Sequence, residues 1–241
     1  MKLKGDYHTH SKYSGDCKNE MEDVVKQAIA RGLDEIAITD HGPKHAGYGI
    51  KTTDYPQMHQ EIMVLRDKYP QIKILLGLEA NLLGTKGDID LTPEMESLCD
   101  WLNCGYHFGS NLSQDLPIHI RNFLSKYSKR VYERAKRDNT NAMINAMRKH
   151  KIKMMTHPGA KGPIDIDAVA RVAAETGTML EINSSHGHLT VENIKIAMQY
   201  DVTFVVNSDA HRLERIGEVA DGFRRIEVSG LPIDRVYNVE V

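Results

Sequence analysis

Residues 35–42 read EIAITDHG: a short run of strand-favouring side chains (35–39), then an acid, a histidine and a glycine. Isoleucine and threonine suit a pleated, packed surface, so the run reads as a buried strand. His41 then falls just past its C-terminal end. The same layout repeats outward along the chain. Towards the N-terminus lies KLKGDYH (2–8), with His8 and His10 at its end. Towards the C-terminus lie KILLGLE (73–79), DWLNCGY (100–106), IKMMT (152–156), TMLEIN (178–183) and VTFVVN (202–207). All seven read as strands, and the first has the least support from composition.

Amphipathic segments separate these runs. Residues 20–31 place Met21, Val24, Val25, Ala28 and Ile29 on one helical face, with Gly32 as the stop. A second helix spans 55–68 and ends before Pro70. Two more span 165–176 and 190–199, capped by Asp165 and Thr190. The long connection 108–150 is expected to hold helices at 118–136 and 139–149, broken near Asn139 and Thr140. Alternating strand and helix predicts an α/β protein with a parallel sheet covered by helices. Seven such strands in 241 residues favour a closed or nearly closed barrel, and the absence of a linker or fixed repeat favours one domain over 1–241.

Composition narrows the function. With 41% hydrophobic residues the chain can build a core, and a formal charge of -2 disfavours a general nucleic-acid or membrane binder. The sequence shows no secretory signal and no apolar run of the ~20 residues that a membrane helix needs. Cys17, Cys99 and Cys104 are odd in number and form no CxxC pair, which fits a reducing cytoplasm.

Almost every strand delivers a histidine or carboxylate at the same end. His8 and His10 end the first, His41 follows the second, Glu79 ends the third, and His107 and His157 follow the fourth and fifth. Asp209 and His211 follow the seventh. In barrels of alternating strands and helices the C-terminal strand ends carry the site, so these residues converge. Period-two alternation puts His8 with His10, and Asp209 with His211 if the strand reaches that far, on one face. Imidazole plus carboxylate suits zinc, manganese or iron. A lone histidine after a strand is more often a packed or solvated residue than a ligand; this many at matching ends is not chance. A multi-metal site generates hydroxide near neutral pH and clamps anionic oxygens, which suits hydrolysis of phosphate esters.

The motifs DYHTHSKYSGD (6–16), AITDHG (37–42), GLEAN (77–81), GYH (105–107), THPG (156–159) and NSDAH (207–211) together resemble the polymerase and histidinol phosphatase (PHP) superfamily. Their spacing and the stretch NTNAMINAM (139–147) look most like small stand-alone bacterial phosphatases of the YcdX type. The resemblance implies a distorted TIM-like (β/α)7 barrel with three divalent ions, zinc, manganese or iron. One ion would take His8, His10, Glu79 and Asp209. A second would share Glu79 and add His107 and His157. A third would take Asp16, His41 and His211. Asp16 comes from the resemblance alone; the YcdX-type pattern has histidine there, and a carboxylate hardens that site towards manganese or iron.

Other polar residues fall near the strand ends. Asp40 and Asn183 are candidates to orient ligands, and Glu181 to face the interior. His186 and His188 (SSHGHL, 184–189) are candidates to bind phosphate or act as the leaving-group acid, as is His45, and Glu79, Asp209 and His186 are the candidate catalytic residues. Lys44, Lys161, Arg212 and Arg215 can meet phosphate charge. Cys17 adjoins Asp16 and is weighed as a minor ligand candidate. His59, His119 and His150 fall within helices and read as structural or solvent-facing, and Met154 and Met155 as packing. The leading expectation is a phosphomonoesterase acting on a small phosphorylated substrate. Alternatives are a 3'-5' nuclease on DNA ends, disfavoured by the lack of a basic stripe with interleaved aromatics, a histidinol-phosphate phosphatase, and a non-catalytic module.

Overall fold

The computed structural model describes residues 1–240. Seven parallel strands follow in chain order: β1 (Gly5–Thr9), β2 (Glu35–Ile38), β3 (Lys73–Leu83), β4 (Trp101–Gly105), β5 (Met154–Met155), β6 (Met179–Asn183) and β7 (Phe204–Asn207). Each pairs with the next. The sheet curls until β7 meets β1, where a single parallel bridge joins Thr9 to Ala210. The result is a nearly closed, distorted barrel, as the sequence predicts. Among the described residues eight helices cover it: α1 (Met21–Ala30), α2 (Tyr55–Lys68), α3 (Pro93–Leu98), α4 (Leu112–Leu124), α5 (Lys129–Lys149), α6 (Ile166–Thr176), α7 (Val191–Ala197) and α8 (Ala220–Ser229). No described helix is long and apolar enough to cross a membrane.

Two apolar layers result. The larger lies between the barrel wall and the helices, where α1 buries Met21, Val24, Val25 and Ala28. The smaller is a plug inside the barrel, built from one residue per strand: Tyr7, Ala37, Leu75, Trp101, Met154, Met179 and Val205. Tyr7 stacks on Trp101 across the lumen at 4.2 Å. Full burial of each large plug side chain contributes roughly 1.5–3 kcal/mol. Further along the strands the interior turns polar: Asn103, Glu181 and Asn207 lie two residues beyond the plug and Glu79 four, all buried. The plug therefore floors a polar chamber that opens at the C-terminal strand ends.

β1 departs from simple alternation. Its register against β2 slips by one residue between Asp6 and Thr9. This bulge lets consecutive residues do different interior jobs: Tyr7 joins the plug, and His8 enters the chamber. Bulges re-aim side chains in this way beside functional sites.

The helix ends expected at Asp165 and Thr190 are present; their side chains accept from Ala168 N and Asn193 N. Gly32 follows α1 at φ +70°. The expected break at Asn139 and Thr140 is corrected. The chain instead breaks at 125–128, and α5 runs unbroken from Lys129 to Lys149. Both polar residues are buried in mid-helix with tertiary partners: Asn139 exchanges amide bonds with Asn122 on α4, and Thr140 Oγ1 accepts from Asp165 N. α3 and α8 were not expected. Lys2–Leu3 is not part of β1; it pairs antiparallel with Val239–Glu240. His119 is buried and structural: its Nδ1 lies 2.6 Å from Tyr106 Oη and its Nε2 2.7 Å from the Ser110 carbonyl.

Candidate metal centre

The barrel mouth holds a cavity of about 250 Å3 lined by Asp16, His41, Glu79, His107, His157, His186, Asp209 and His211, with His45, Tyr48, Phe108 and Lys161 at its rim. His8 and His10 lie beneath, both fully buried. All nine residues nominated from the sequence as ligands therefore meet in one place.

Glu79 is the hub. β3 carries it to the centre of the chamber with no exposure. Its Oε1 lies 3.1 Å from each of His8 Nε2, His107 Nε2 and His157 Nε2. Its Oε2 lies 2.9 Å from His41 Nδ1 and 3.8 Å from His10 Nε2. The two oxygens thus face two different sets of imidazoles. Asp209 Oδ1 is 3.4 Å from both His8 Nε2 and His10 Nε2. On the outer side, Asp16 Oδ2 lies 3.3 Å from both His41 Nε2 and His211 Nε2.

β7 ends at Asn207, so the expectation that Asp209 and His211 share a strand face is corrected. The irregular chain after Asn207 brings them in, with Asp209 at φ +54° and His211 Nδ1 3.6 Å from Asp209 Oδ1. His157 also sits at positive φ, +29°. Backbone strain in non-glycine residues clusters at functional sites.

The donor set fits divalent cations. Among the described residues, eight buried side-chain nitrogens and oxygens lack a hydrogen-bond partner, and five of them are His8 Nε2, His10 Nε2, His41 Nδ1, His107 Nε2 and Glu79 Oε2. Leaving one such atom unpaired costs ~1–3 kcal/mol. Five converging on one point describe a ligand sphere better than a packing fault. Several ligand atoms lie within 4.8 Å of one another in groups of three, among them His8–His10–Asp209, His41–Glu79–His107 and His10–His41–His211.

Neighbours aim these side chains. Asn81 Oδ1 lies 2.9 Å from His107 Nδ1, and Asp90 holds Asn81 through its backbone and side-chain nitrogens at 2.6 Å each. Asp40 accepts from Ser11 N, Ser11 Oγ and Ser14 N, so it shapes the loop after β1 rather than His41 itself. Asn183 donates to Asp209 Oδ2 at 3.0 Å and accepts from His186 N. Asn81 was detectable, because it shares a strand face with Glu79 two residues earlier. Asp90 arrives through a hairpin and carried no such signal; nor did Tyr48 or Phe108.

Electrostatics follow from crowding. Burial pushes His107 down to about 4, only partly offset by Glu79. Burial and the charges of His211 and His41 hold His10 well below its ordinary value. Burial opposes the charged form of His41, yet Asp16 and Glu79 outweigh it and push it up to about 10. Burial alone would raise Glu79, but the adjacent His107 and His8 hold it well below the usual carboxylate range.

Other nominated residues divide. His186 Nε2 lies 3.3 Å from Asp209 Oδ2, and burial with the His157 charge pushes it down to about 4. His188 turns back to the His186 carbonyl, 2.9 Å away. His45 stacks on Tyr48 at 4.9 Å. Lys161 reaches the rim, whereas Lys44, Arg212 and Arg215 do not line the cavity. The Cys17 thiol donates to the carbonyls of His10 and His211 and so faces backbone, not the cavity.

A parallel barrel whose strand C-termini gather imidazoles and carboxylates around a central glutamate has the donor set of a divalent-metal site. Known proteins place the chain among hydrolases of phosphoric esters. The PHP domain model matches residues 6–185, and a PHP-associated model matches residues 192–230. The chain belongs to the PHP domain family. It is 31% identical to a probable phosphatase of Shewanella sp. (strain ANA-3), over 99% of this chain and 88% of that one. It is 27% identical to a probable phosphatase of Acetivibrio thermocellus, over 100% and 93%. Its fold matches that of histidinol phosphate phosphatase from Lactococcus lactis subsp. lactis Il1403, crystallised with zinc, L-histidinol and phosphate, with a TM-score of 0.70 and 20% identity over 96% and 95% of the two chains.

Proposed function

We propose that this PHP-family hydrolase of phosphoric esters cleaves small phosphomonoesters at a trinuclear centre. The observation that carries the reading is Glu79, with one oxygen facing His8, His107 and His157 and the other facing His41 and His10. His8, His10, Glu79 and Asp209 would hold one ion, Glu79, His107 and His157 a second, and Asp16, His41 and His211 a third. Divalent cations bound there supply hydroxide near neutral pH and neutralise phosphate charge.

The remaining residues serve the substrate. Asn183 holds the ligand Asp209 in place at the inner wall of the cavity. His186 stands at the cavity wall, its Nε2 3.3 Å from Asp209 Oδ2, where it can bond phosphate or serve as the leaving-group acid. Lys161 is the one lysine or arginine among the described lining residues. That single cation and a cavity of about 250 Å3 favour a small monoester over a nucleic-acid strand. His45, Tyr48 and Phe108 give the rim π faces for the organic group. Those faces keep an imidazole-bearing ester such as histidinol phosphate among the candidates.

The test is to strip the protein of metal, reload it separately with zinc, manganese and iron(II), and assay phosphate release. The panel includes an aryl phosphate, histidinol phosphate, mononucleotides and labelled single-stranded DNA. Turnover of monoesters with intact DNA is the expected result. Reloaded protein that is inert on the whole panel would sink the reading, and preferential shortening of DNA from its 3' end would replace it with the nuclease.

A further inference from the structure

We infer that Glu181 is a positioning residue that couples two ion positions, because one buried carboxylate holds His8 and His157 together. The inference rests on the metal centre proposed above.

β6 is the one barrel strand that brings no nominated ligand, yet it carries a fully buried carboxylate under the site. Glu181 Oε1 lies 2.7 Å from His8 Nδ1 and accepts from Asn207 Nδ2 at 3.1 Å. Its Oε2 accepts from the backbone nitrogen of His157 at 2.6 Å and from Asn183 Nδ2 at 3.0 Å. An ionised carboxylate offers about four lone-pair sites, and here four donors fill them. A protonated Glu181 could pass its hydrogen only to His8 Nδ1, the one contact that is not a fixed donor, and that would put the His8 proton on Nε2, where it would bar an ion. The group is therefore a carboxylate, and His8 must carry its proton on Nδ1. That choice turns the other ring nitrogen, Nε2, towards Glu79 and Asp209 as the ligand atom.

The same carboxylate fixes His157 by its backbone. His157 adopts φ +29°, a conformation that needs outside support, and Oε2 provides it. His8 belongs to the proposed first ion and His157 to the second. Neither contact can loosen without rotating the carboxylate, which loosens the other. Filling either position therefore prepares its neighbour, and the coupling is reciprocal.

Glutamine at this position keeps the volume and separates the roles. The backbone N–H of His157 can only donate, so the amide oxygen must face it. The amide nitrogen then faces His8 Nδ1 and donates to it, which moves the His8 proton to Nε2 and removes the ligand lone pair.

The experiment titrates metal-free wild type and Glu181→Gln with zinc by calorimetry, with bound zinc counted by elemental analysis. Of the three equivalents expected for wild type, the two at the positions of His8 and His157 should bind cooperatively. E181Q is expected to fold, as judged by circular dichroism, to bind zinc stepwise, and to weaken one of those equivalents about 10–100-fold. In the double variant with His8→Gln the E181Q change should add little, because Glu181 acts through His8. A wild type that takes up no zinc removes the metal centre itself. A wild type that fills its positions independently, or an E181Q isotherm that superposes on wild type, overturns this inference alone. Should E181Q fail to fold, nitrogen-15 spectra of the wild-type imidazoles decide: a His8 proton on Nδ1 before and after zinc supports the assignment, and an unprotonated Nδ1 overturns it.

Discussion

Gly42 shows how little slack surrounds the site. A Cβ there would stand 2.4 Å from Asp90 Oδ1 and 2.5 Å from Oδ2. Asp90 cannot retreat freely, because it accepts from Lys44 N and from both nitrogens of Asn81. Overpacking of this kind costs about 1–3 kcal/mol. Gly42→Ala should lower the unfolding free energy by that amount, seen as a lower urea midpoint at unchanged m-value, and should also weaken metal retention, since Asn81 orients His107. Asp16 invites the opposite experiment, a change of preference rather than of strength. It stands 3.3 Å from His41 Nε2 and His211 Nε2, where the resemblance places a third ion. Asp16→His softens that set. In competition between equimolar zinc and manganese, the bound zinc-to-manganese ratio should rise, and an unchanged ratio would show that Asp16 does not set the preference.

At the scale of elements, the strands and their ends were legible because most have a local signal: a short apolar run with a histidine or an acid at or just past its end. His41, Glu79, His107 and His157 follow from that pattern alone. The bulge in β1 was not legible, since it depends on pairing with β2. Nor was the chain's path through 108–150. Asparagine and threonine are weak helix formers, and the tandem Asn139–Thr140 accordingly reads as a break. Within α5 both are instead bound to other elements: Asn139 to Asn122 and the Pro163 carbonyl, Thr140 to Asp165 N. The contest between propensity and tertiary bonding makes a sharp prediction. Alanine is the better helix former, yet Asn139→Ala and Thr140→Ala should each destabilise by ~1–2 kcal/mol, through lost bonds and unpaired partners. Chemical denaturation of both variants checks this; a gain in stability at either site would mean that propensity dominates there.

Across the whole molecule, the weakest joint of the barrel is also the joint that carries the site. β1 and β7 meet through one bridge near their C-terminal ends, Thr9 to Ala210, with His10 N and Ala210 N bonded across it. Below that point the strands diverge, and residues 236–240 fill the gap. Val236 bridges Phe204, and Asn238 joins both sides: its Nδ2 donates to the carbonyls of Gly5 at 2.7 Å and Val206 at 2.6 Å, while its Oδ1 accepts from Val206 N at 3.0 Å. The Asn238 carbonyl also accepts from Lys4 N. One buried side chain thus staples the seam whose two lips bear His8 and His10 on one side and Asp209 and His211 on the other. Asn238→Ala removes three bonds and leaves three buried backbone groups unpaired, a loss of about 2–4 kcal/mol. For a chain of this size that is a fall in Tm of roughly 5–15 °C, at ~2–4 °C per kcal/mol. Excess zinc should raise both melting temperatures, because ions bound across the lips would stabilise the closed form by mass action, about 2.7 kcal/mol at a hundredfold excess over Kd. The measurement is a pair of melting curves, with and without zinc, for wild type and N238A. A zinc-dependent gain larger in wild type than in the variant is also expected, since an open seam spreads the ligands. Equal gains would mean that the seam and the metal centre are independent of one another.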